Sequence, residues 1–319
     1  MTQPATPTPR RLSLLTDYGI IWITVALFAL LGLTTEAFLS SANLRNILDQ
    51  QSLLLIAGAA MTLTLIGGNF DISISASFIN AGILTALTVN ATGNGALGLL
   101  AGVAIGALYG LVNGAVVAWI RVNSFIATLA TSFVFYGIGF LISDRSIIRI
   151  RDTAFSEIAR GRILGLTKAT WIAVVVVAVF WIMLSRTRFG RHVFAIGGAV
   201  EAARLAGIRV KSITMVTFVL VGAAAGLAGA LSASRTLAAQ PSDHFGFVFA
   251  VLAAVIVGGT SIAGGDGAVW RTVFGALFIA LIINGFNLRQ IDPIIQRLIQ
   301  GSVIVAAVAV DNWTKNKRT

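Results

Sequence analysis

Long apolar segments follow one another along almost the whole of this 319-residue chain, and they limit its fold more than any other feature. A membrane-spanning helix needs about 20 largely apolar residues. By that measure the sequence predicts about ten spans, at residues 18–35, 47–66, 72–89, 97–119, 125–142, 171–184, 213–234, 247–262, 269–283 and 294–310. Because charged residues make up only 11% of the chain, too few remain for the surface of a soluble domain. We therefore predict an all-α polytopic membrane protein.

The chain is predicted to hold a single membrane domain, residues 13–312, between two short tails. The first tail, 1–12, contains three of the five prolines and is predicted to be disordered. Arg10 and Arg11 precede the first span, and Lys315, Lys317 and Arg318 lie in the second tail, 313–319. Since loops rich in Lys and Arg stay in the cytosol, both tails are predicted to be cytosolic.

Two basic loops flank the span 171–184, so they must lie on opposite sides of the membrane. Loop 186–211 has six basic residues and one acidic residue, whereas loop 144–168 has six basic residues and three acidic residues. We assign loop 186–211 to the cytosol because acids dilute its charge less. The external loop is then either an ordinary solvated loop or a basic patch, Arg145, Arg149 and Arg151, that receives an acidic soluble partner.

The cytosolic loop contains a short predicted helix, residues 201–207, with the sequence EAARLAG. It consists of good helix formers and ends on Gly207, the usual residue at a helix C-terminus. Its small residues would allow the backbone of another protein to approach closely. The alternative to such a docking site is a loop whose positive charge only fixes the membrane topology.

Glycines recur at every fourth position in the fourth span, at Gly102, Gly106, Gly110 and Gly114, and again at Gly222 and Gly226. Small residues at this spacing let helices approach closely in lipid. We therefore predict that these glycines serve helix packing. They need not line a path through the membrane.

A weak internal repeat relates residues 64–73 to residues 255–262, since each is an apolar run broken by Gly-Gly and followed by small polar residues. Glycine-interrupted spans in corresponding halves point to a transport path. Asp71 is either an acid of that path or the cap of the next helix, and both readings stay open. The candidate path residues are Gly67, Gly68, Asp71, Ser73, Ser75, Thr128, Gly258, Gly259, Thr260, Ser261 and Asn284.

Catalytic chemistry is missing from the sequence. Cysteine is absent, and the two histidines, His192 and His244, fall in loops on opposite sides of the membrane. No metal site or nucleophile–base pair is therefore predicted. Residues 161–170 lack the Gly-Lys-Ser/Thr ending of a phosphate-binding loop, so the chain is predicted not to hydrolyse ATP.

Several motifs together resemble one family over essentially the whole chain. Residues 187–210, TRFGRHVFAIGGAVEAARLAGIRV, and 253–267, AAVIVGGTSIAGGDG, are similar to its cytosolic loop and C-terminal signature, with looser matches at 124–139 and 67–75. On these residues the chain is identified as similar to the permease subunits of ribose-type ABC sugar importers, in the branched-chain amino acid/ribose transport permease superfamily. It departs from the family by one extra residue in GGNFDIS and by Phe247-Val248-Phe249 where Glu-Leu is usual.

The resemblance implies a pore subunit, not an enzyme, in a bacterial inner membrane. It implies a second permease copy or paralogue, a periplasmic or lipid-anchored sugar-binding protein, and a separate ATPase that binds ATP and Mg and often has two fused nucleotide-binding domains. No cofactor on this chain and no nucleic acid is implied. Residues 201–207 would be the coupling helix that docks on the ATPase, and the coupling residues would be Arg191, Glu201, Ala202, Ala203, Arg204 and Gly207.

Two other functions are weighed against this one. An ion-coupled secondary carrier would use Asp71 and the Gly-Gly breaks as an ion site, but it leaves the 201–207 motif unexplained. A membrane-embedded transferase would need a catalytic cluster, and the sequence offers none.

Overall fold

A computed structural model of the chain describes residues 18–243, 245–292, 294–296, 298–299 and 301–302. In chain order the helices are α1 (Gly19–Thr34), α2 (Ser41–Ile66), α3 (Ile74–Thr92), α4 (Gly95–Ala115), α5 (Ser124–Ile142), α6 (Glu157–Arg160), α7 (Lys168–Arg186), α8 (Arg188–Gly198), α9 (Val200–Leu205), α10 (Val210–Thr236), α11 (Gly246–Val257) and α12 (Val269–Leu288). The strands have two residues each: β1 (Ile148–Arg149), β2 (Arg162–Ile163), β3 (Leu166–Thr167) and β4 (Ala238–Ala239). A π-helical turn, Val116–Ile120, extends α4, and a 3-10 turn, Thr153–Ser156, precedes α6.

The all-α polytopic fold is confirmed. Within the described residues, seven helices are long and apolar enough to cross a membrane, namely α2, α3, α4 with its π-helical turn, α5, α7, α10 and α12. Helices α1 and α11 are apolar but shorter. The tails 1–12 and 313–319 and most of the predicted span 294–310 lie outside the described residues.

Polar caps set several helix starts that the apolar pattern alone places less well. The side-chain oxygen of Ser40 accepts a hydrogen bond from Asn43 N, so α2 begins six residues before the predicted span at 47. Asn94 and Asn123 cap α4 and α5 in the same way, and Thr167 caps α7. Each cap satisfies backbone N–H groups that the first helical turn leaves without partners.

Loop contacts define the two ends of the helix bundle. At the hairpin end, residues 143–167 form one small antiparallel pair of their own, β2 on β3, and a second with residues 238–239, β1 on β4. Asp49, early in α2, accepts a hydrogen bond from Thr167 Oγ1 there at 2.8 Å. At the helical-loop end, Ile66 O at the end of α2 accepts a hydrogen bond from Gly265 N at 2.8 Å, beside α8 and α9. Helix α2 therefore runs from the hairpin end to the helical-loop end.

The centre of the bundle is formed by the second half of α2 and by α10. Every residue from 56 to 67 is buried. A helix that is buried on all its faces has to be apolar or small all round, which is what the residues AGAAMTLTLI provide.

Glycines bring α4 and α10 into backbone contact, as the packing interpretation of the glycine pattern expects. A Cβ atom added to Gly106 would collide with the carbonyl oxygen of Gly222, and one added to Gly110 would collide with that of Phe218. The reverse also holds, since a Cβ on Gly226 would collide with Gly102 O. Such close approach maximises dispersion contacts, the main attraction left between helices in lipid.

The predicted span 247–262 is wrong in its last five residues, 258–262. Helix α11 ends at Val257, and Gly258, Gly259 and the residues up to 268 form a loop. Twelve residues make a helix of about 18 Å, well short of the roughly 30 Å hydrocarbon core. Its N-terminal turn packs into the bundle, where Val248 N donates to Ser75 Oγ at 2.8 Å. Residues 240–243, which come shortly before α11, are not helical.

Candidate translocation and coupling sites

Helix α9 matches the predicted coupling helix in position and in its ending. It spans Val200–Leu205, and Gly207 follows with φ +79°. Gly207 N donates to Arg204 O at 3.0 Å and Ile208 N donates to Ala203 O at 3.1 Å, which is the hydrogen-bond pair of a Schellman ending. Glycine occupies the left-handed position there because it has no Cβ to strain the backbone.

The side chains of α9 divide into a buried and an exposed set. Ala203 is only 3% exposed, so its methyl group packs against the protein and does not lie on the free face where the close-docking interpretation puts it. Ala202 is exposed, and Glu201 Oε2 forms a salt bridge of 3.0 Å with Arg204 within the helix. Glu201 therefore acts as a salt-bridge partner and does not cap α9.

Leu205 is the most prominent side chain of α9 and was missed by sequence reasoning. It is 89% exposed at the C-terminal end of the helix. In the sequence, a leucine at this position is an ordinary helix-forming residue. Only the fold shows that its side chain projects from the surface. Arg191, also predicted for coupling, is exposed on α8, where its guanidinium donates to Thr187 O at 3.4 Å.

The predicted internal repeat has the same geometry in both copies. After α2, Gly68 N donates to Leu65 O and Asn69 N donates to Thr64 O. After α11, Gly259 N donates to Ile256 O and Thr260 N to Val255 O. Gly68 and Gly259 both have positive φ, +75° and +89°. Each Gly-Gly pair therefore ends its helix with a Schellman turn at the helical-loop end.

Three glycine pairs from distant parts of the chain meet at this end: Gly67-Gly68, Gly197-Gly198 and Gly264-Gly265. A Cβ added to Gly197 would collide with Ile66 O, and one on Gly264 would lie 2.9 Å from Gly68 Cα. We call this contact the glycine junction. It joins the end of α8, and α9 one residue beyond, to the end of α2 and to the loop after α11.

A chain of polar side chains lies deeper in the bundle and contains several predicted path residues. Thr131 Oγ1 donates to Asn113 Oδ1 at 2.6 Å, and Asn113 Nδ2 donates to Ser73 Oγ at 2.6 Å. Ser73 Oγ donates in turn to Asp71 Oδ1 at 2.7 Å. Thr128 joins the cluster by accepting a hydrogen bond from Ile72 N at 3.0 Å. The connection before α3 contributes Asp71 and Ser73 to this polar cluster, and α4 and α5 contribute the rest.

Asn113 and Thr131 are members of the polar cluster that sequence reasoning missed. An amide inside an apolar span is itself a signal, because an unpaired polar group in hydrocarbon is costly. Asn113 is fully buried between Ser73 and Thr131.

The Asp71 carboxylate is bound by Ser73, the residue that precedes α3. It is buried, and Oδ1 accepts from both Ser73 N (2.9 Å) and Ser73 Oγ just before α3. It lies in the connection between the two spans, where desolvation raises its pKa from 3.8 to about 6 against the lowering effect of these two hydrogen bonds. These hydrogen bonds close a turn on Ser73, the N-cap residue of α3, and the helix has no side-chain cap from that residue. Asp71 does not line either cavity described below.

This geometry predicts how Asp71→Asn changes the stability of the chain with pH. Because the folded chain binds the Asp71 proton more tightly than the unfolded chain, its free energy of unfolding falls as pH rises from about 4 to 6, by roughly 3 kcal/mol from this group. Asparagine offers the same acceptor oxygen without the titration. Denaturation of both chains across this pH range should show that the variant has the larger free energy of unfolding and that the difference grows as pH rises. Parallel curves would contradict the assignment.

The other predicted path residues divide between the two ends. Ser75 lies in α3 next to the polar cluster, and Thr260 is buried in the loop after α11, where its Oγ1 has no hydrogen-bond partner among the described residues. Ser261 follows it, and its backbone N donates to Asp266 O at 2.9 Å. Asn284 is separate from all of these, because it forms paired amide hydrogen bonds with Asn43 of α2 near the hairpin end.

Two cavities open into the bundle from opposite sides. One, of about 620 Å³, lies at the helical-loop end and is lined by Gly67 and Gly68 among others. The second, of about 480 Å³, lies between α3, α10 and the non-helical residues before α11. Its walls are mainly apolar, and its polar groups come from Ser232, Thr236, Gln240 and Ser242. None of these four was predicted as a path residue.

Aromatic side chains cluster beside the second cavity. Phe78 and Phe247, which both line it, stack with ring centroids 4.3 Å apart. Tyr136 and Phe133 of α5 contact Phe245 edge-on, at 5.4 and 5.9 Å. These rings lie at the start of α11.

The predicted docking residues Arg145, Arg149 and Arg151 are exposed at the hairpin end. Arg149 belongs to β1, opposite Ala238 of β4, so this patch lies next to the residues that lead to the second cavity. Among the described residues, no group of three or more His, Asp and Glu side chains is placed to bind a metal ion. His244 lies outside the described residues.

Comparison with known proteins identifies the family. Residues 43–308 match the family described as branched-chain amino acid transport system / permease component. The chain belongs to this permease family.

Individual permeases match over nearly the whole chain. The L-arabinose transport system permease protein AraH of Escherichia coli (strain K12) is 34% identical over 304 residues, covering 95% of this chain and 93% of the relative. The ribose import permease protein RbsC of the same strain is 35% identical, covering 90% and 91%. The D-allose transport system permease protein AlsC is 33% identical, covering 92% and 91%. No solved structure matches the chain.

Membership of the permease family confirms the resemblance that the motifs indicated. It favours the pore subunit of an ABC importer over an ion-coupled secondary carrier and over a membrane-embedded enzyme.

Proposed function

We propose that this chain is the membrane-spanning subunit of an ATP-binding cassette importer that carries a monosaccharide or a related polyol. The observation that carries the proposal is similarity over at least 90% of the chain to permeases named for arabinose, ribose and allose. ATP and Mg would bind to a separate ATPase subunit, and this chain would bind no cofactor. The whole of residues 13–312 would form one membrane domain.

The coupling surface is proposed to be the exposed face of α9 with the residues that follow it. Leu205 would insert into a groove of the ATPase, because a large apolar side chain that is free in one subunit gains free energy when a partner buries it. The Glu201–Arg204 salt bridge would stabilise the helix, and Gly207 would turn the chain away from the contact. Ala202 and Ala206, both exposed, would let the groove close around α9.

The glycine junction is proposed to pass the movement of α9 into the membrane. Backbone contacts between Gly197, Ile66 and Gly265 leave no flexible side chain to absorb a displacement. A shift of α8 and α9 on ATP binding would therefore move the ends of α2 and α11 directly. Opening one cavity while the other closes would then give alternating access.

The transport path is proposed to run along the non-helical residues before α11 and the exposed face of α5. Backbone N–H and C=O groups without helix partners are not tolerated against lipid, so residues 240–243 must line water or be covered by protein. A second permease, either a copy or a paralogue, would cover them. Exposed Phe133 and Phe249 on this face offer apolar surface for that contact.

The chain is proposed to lie in the bacterial inner membrane with both termini in the cytosol. In this orientation the helical-loop end, with Arg121, Arg209 and Lys211, would lie on the cytosolic side. This agrees with the rule that Lys and Arg are more frequent in cytosolic loops. The hairpin end would then face a periplasmic or lipid-anchored sugar-binding protein.

Co-purification tests the proposed class. The full chain, expressed with the soluble proteins of its own cell and extracted in mild detergent, should retain an ATPase that carries a phosphate-binding loop. If a folded chain retains none, and if uptake survives ATP depletion but collapses with an ionophore, the secondary-carrier function would replace this one.

The basic patch at the hairpin end gives a separate prediction about the binding protein. Arg149→Glu/Arg151→Glu should weaken docking of an acidic binding protein by at least about tenfold at low salt, since like charges then face each other. Arg160→Glu/Arg162→Glu removes the same charge from the same loop and serves as the control. Surface plasmon resonance with the full chain in nanodiscs measures both, and equal affinities for the two variants would refute the proposed docking site.

A further inference from the structure

The cavity at the helical-loop end has an unusual charge. Its lining includes four basic residues, Arg121, Arg204, Arg209 and Lys211, and no Asp or Glu. Arg204 is paired with Glu201, but within the described part of the chain no carboxylate lies within 4 Å of the other three. We call this space the basic cavity.

The basic residues of this cavity come from different elements that are fixed by the fold. Arg121 follows the π-helical turn after α4, with φ +65°, and Arg209 and Lys211 flank the start of α10. Ser212 and Asn69 add neutral polar groups to the wall. A volume of about 620 Å³ exceeds what a single phosphate group needs, so the cavity has room for a larger headgroup.

Exposed apolar residues lie directly beside the basic cavity. Trp119 and Ile120, immediately before Arg121, are 59% and 70% exposed. Tryptophan is typical of the membrane–water interface, so this turn places Arg121 at the level of the lipid headgroups. Basic pockets between spans at that level bind phosphate-containing headgroups.

We infer that the basic cavity is a binding site for the phosphate headgroup of an anionic phospholipid, with the acyl chains along Trp119 and Ile120. The lipid phosphate accepts hydrogen bonds from Arg121, Arg209 and Lys211. Because the cavity also touches Val200 and Arg204 of α9 and Gly197 of the glycine junction, a bound headgroup braces α9 against the end of α4. Lipid binding can be tested separately from the proposed coupling, since the lipid binds in the absence of an ATPase.

The test uses the purified full chain in a neutral detergent, where no charged bilayer surface attracts lipid and only a site retains it. Native mass spectrometry follows the binding of phosphatidylglycerol, with phosphatidylcholine as the zwitterionic comparison. We expect saturable binding of phosphatidylglycerol that Arg121→Gln/Arg209→Gln weakens by at least about tenfold, since charge-assisted hydrogen bonds to phosphate are lost. Arg209→Gln/Lys211→Gln, which leaves the left-handed Arg121 intact, should have the same effect.

The control is Arg186→Gln/Arg188→Gln, which removes the same charge at the same end from residues outside the cavity lining. It should change the affinity by less than about twofold, as expected for exposed charges. If it weakens binding as much as the cavity variants do, the proposed site is wrong. A large excess of inorganic phosphate should leave the lipid bound, because the acyl chains add affinity. If inorganic phosphate alone binds as tightly as the lipid, the cavity serves a soluble phosphate compound and the lipid assignment fails.

Discussion

Leu205→Glu is expected to abolish ATP-driven uptake and the retention of the ATPase, while the chain still folds in the membrane. Burying a leucine side chain contributes about 1.5–3 kcal/mol, and a glutamate there would have to lose its hydration in the ATPase groove. The affinity for the ATPase should therefore fall by at least about a hundredfold. Because Leu205 is almost fully exposed in this chain, its replacement removes no internal contact. Co-purification and uptake in proteoliposomes measure the two losses.

Leu164→Glu is the matched control for this experiment. Leu164 is 88% exposed in the turn between β2 and β3 at the hairpin end, so the same substitution there changes the same amount of exposed apolar surface. It should leave the ATPase bound. Uptake that persists in Leu205→Glu at the level of this control would show that α9 does not dock through its C-terminal end.

Gly207 tests the shape of the same surface. Gly207→Asp puts a carboxylate at the left-handed position and should also uncouple uptake, whereas Gly207→Asn should retain most of it because asparagine tolerates this conformation as aspartate does but carries no charge. Gly93, with φ +65° and open space around it, allows the same Gly→Asp change at the hairpin end. Gly93→Asp should leave uptake nearly unchanged. A loss of uptake in both aspartate variants would point to backbone strain and away from docking.

Gly106→Val is expected to prevent stable folding of the chain. A Cβ at this position would collide with the backbone of Gly222 and Gly226. Backbone atoms of a helix cannot rotate out of the way as a flexible side chain can. Helices α4 and α10 would have to separate, so the free energy of unfolding should fall by more than about 3 kcal/mol. Thermal aggregation in detergent, followed by size-exclusion chromatography, measures the change.

Gly137→Val, the control for this packing prediction, makes the same substitution inside a span. A Cβ at Gly137 of α5 meets nothing within 4 Å. The melting temperature of the Gly137→Val variant should therefore stay close to that of the unsubstituted chain. Gly222→Val, on the other side of the α4–α10 contact, should be as damaging as Gly106→Val. Equal stability of Gly106→Val and Gly137→Val would mean that the two helices do not pack through these glycines.

Local sequence patterns predicted a large part of this structure because the interactions that cause them are local. Length and apolar character identify a membrane span, since the bilayer itself supplies the apolar surroundings. Gly68 and Gly207 are recognisable as helix ends for a similar reason, because the left-handed position disfavours any residue with a Cβ. The same pattern failed for residues 258–262, where apolar character continued past the Gly-Gly pair that ends α11.

The site was less accessible to sequence reasoning because its parts come from distant segments. Small polar residues at 71, 73 and 128 were singled out, yet their partners Asn113 and Thr131 were not, since nothing in their own neighbourhoods reveals the hydrogen bonds that join them. Asn284 has the same polar character as the residues of the cluster, but the fold pairs it with Asn43 near the other end.

The sequence by itself therefore determined the class of protein, the order of its spans, the ends of several helices and the position of α9. Hydropathy and backbone conformation depend on a residue and its close neighbours, so they can be read along the chain. Only the tertiary structure decided that Ala203 packs inward while Leu205 projects, that three glycine pairs meet beside Ile66, and that four basic residues from separate elements line one cavity. These features depend on how helices far apart in sequence pack together, and that packing places each side chain inside or outside.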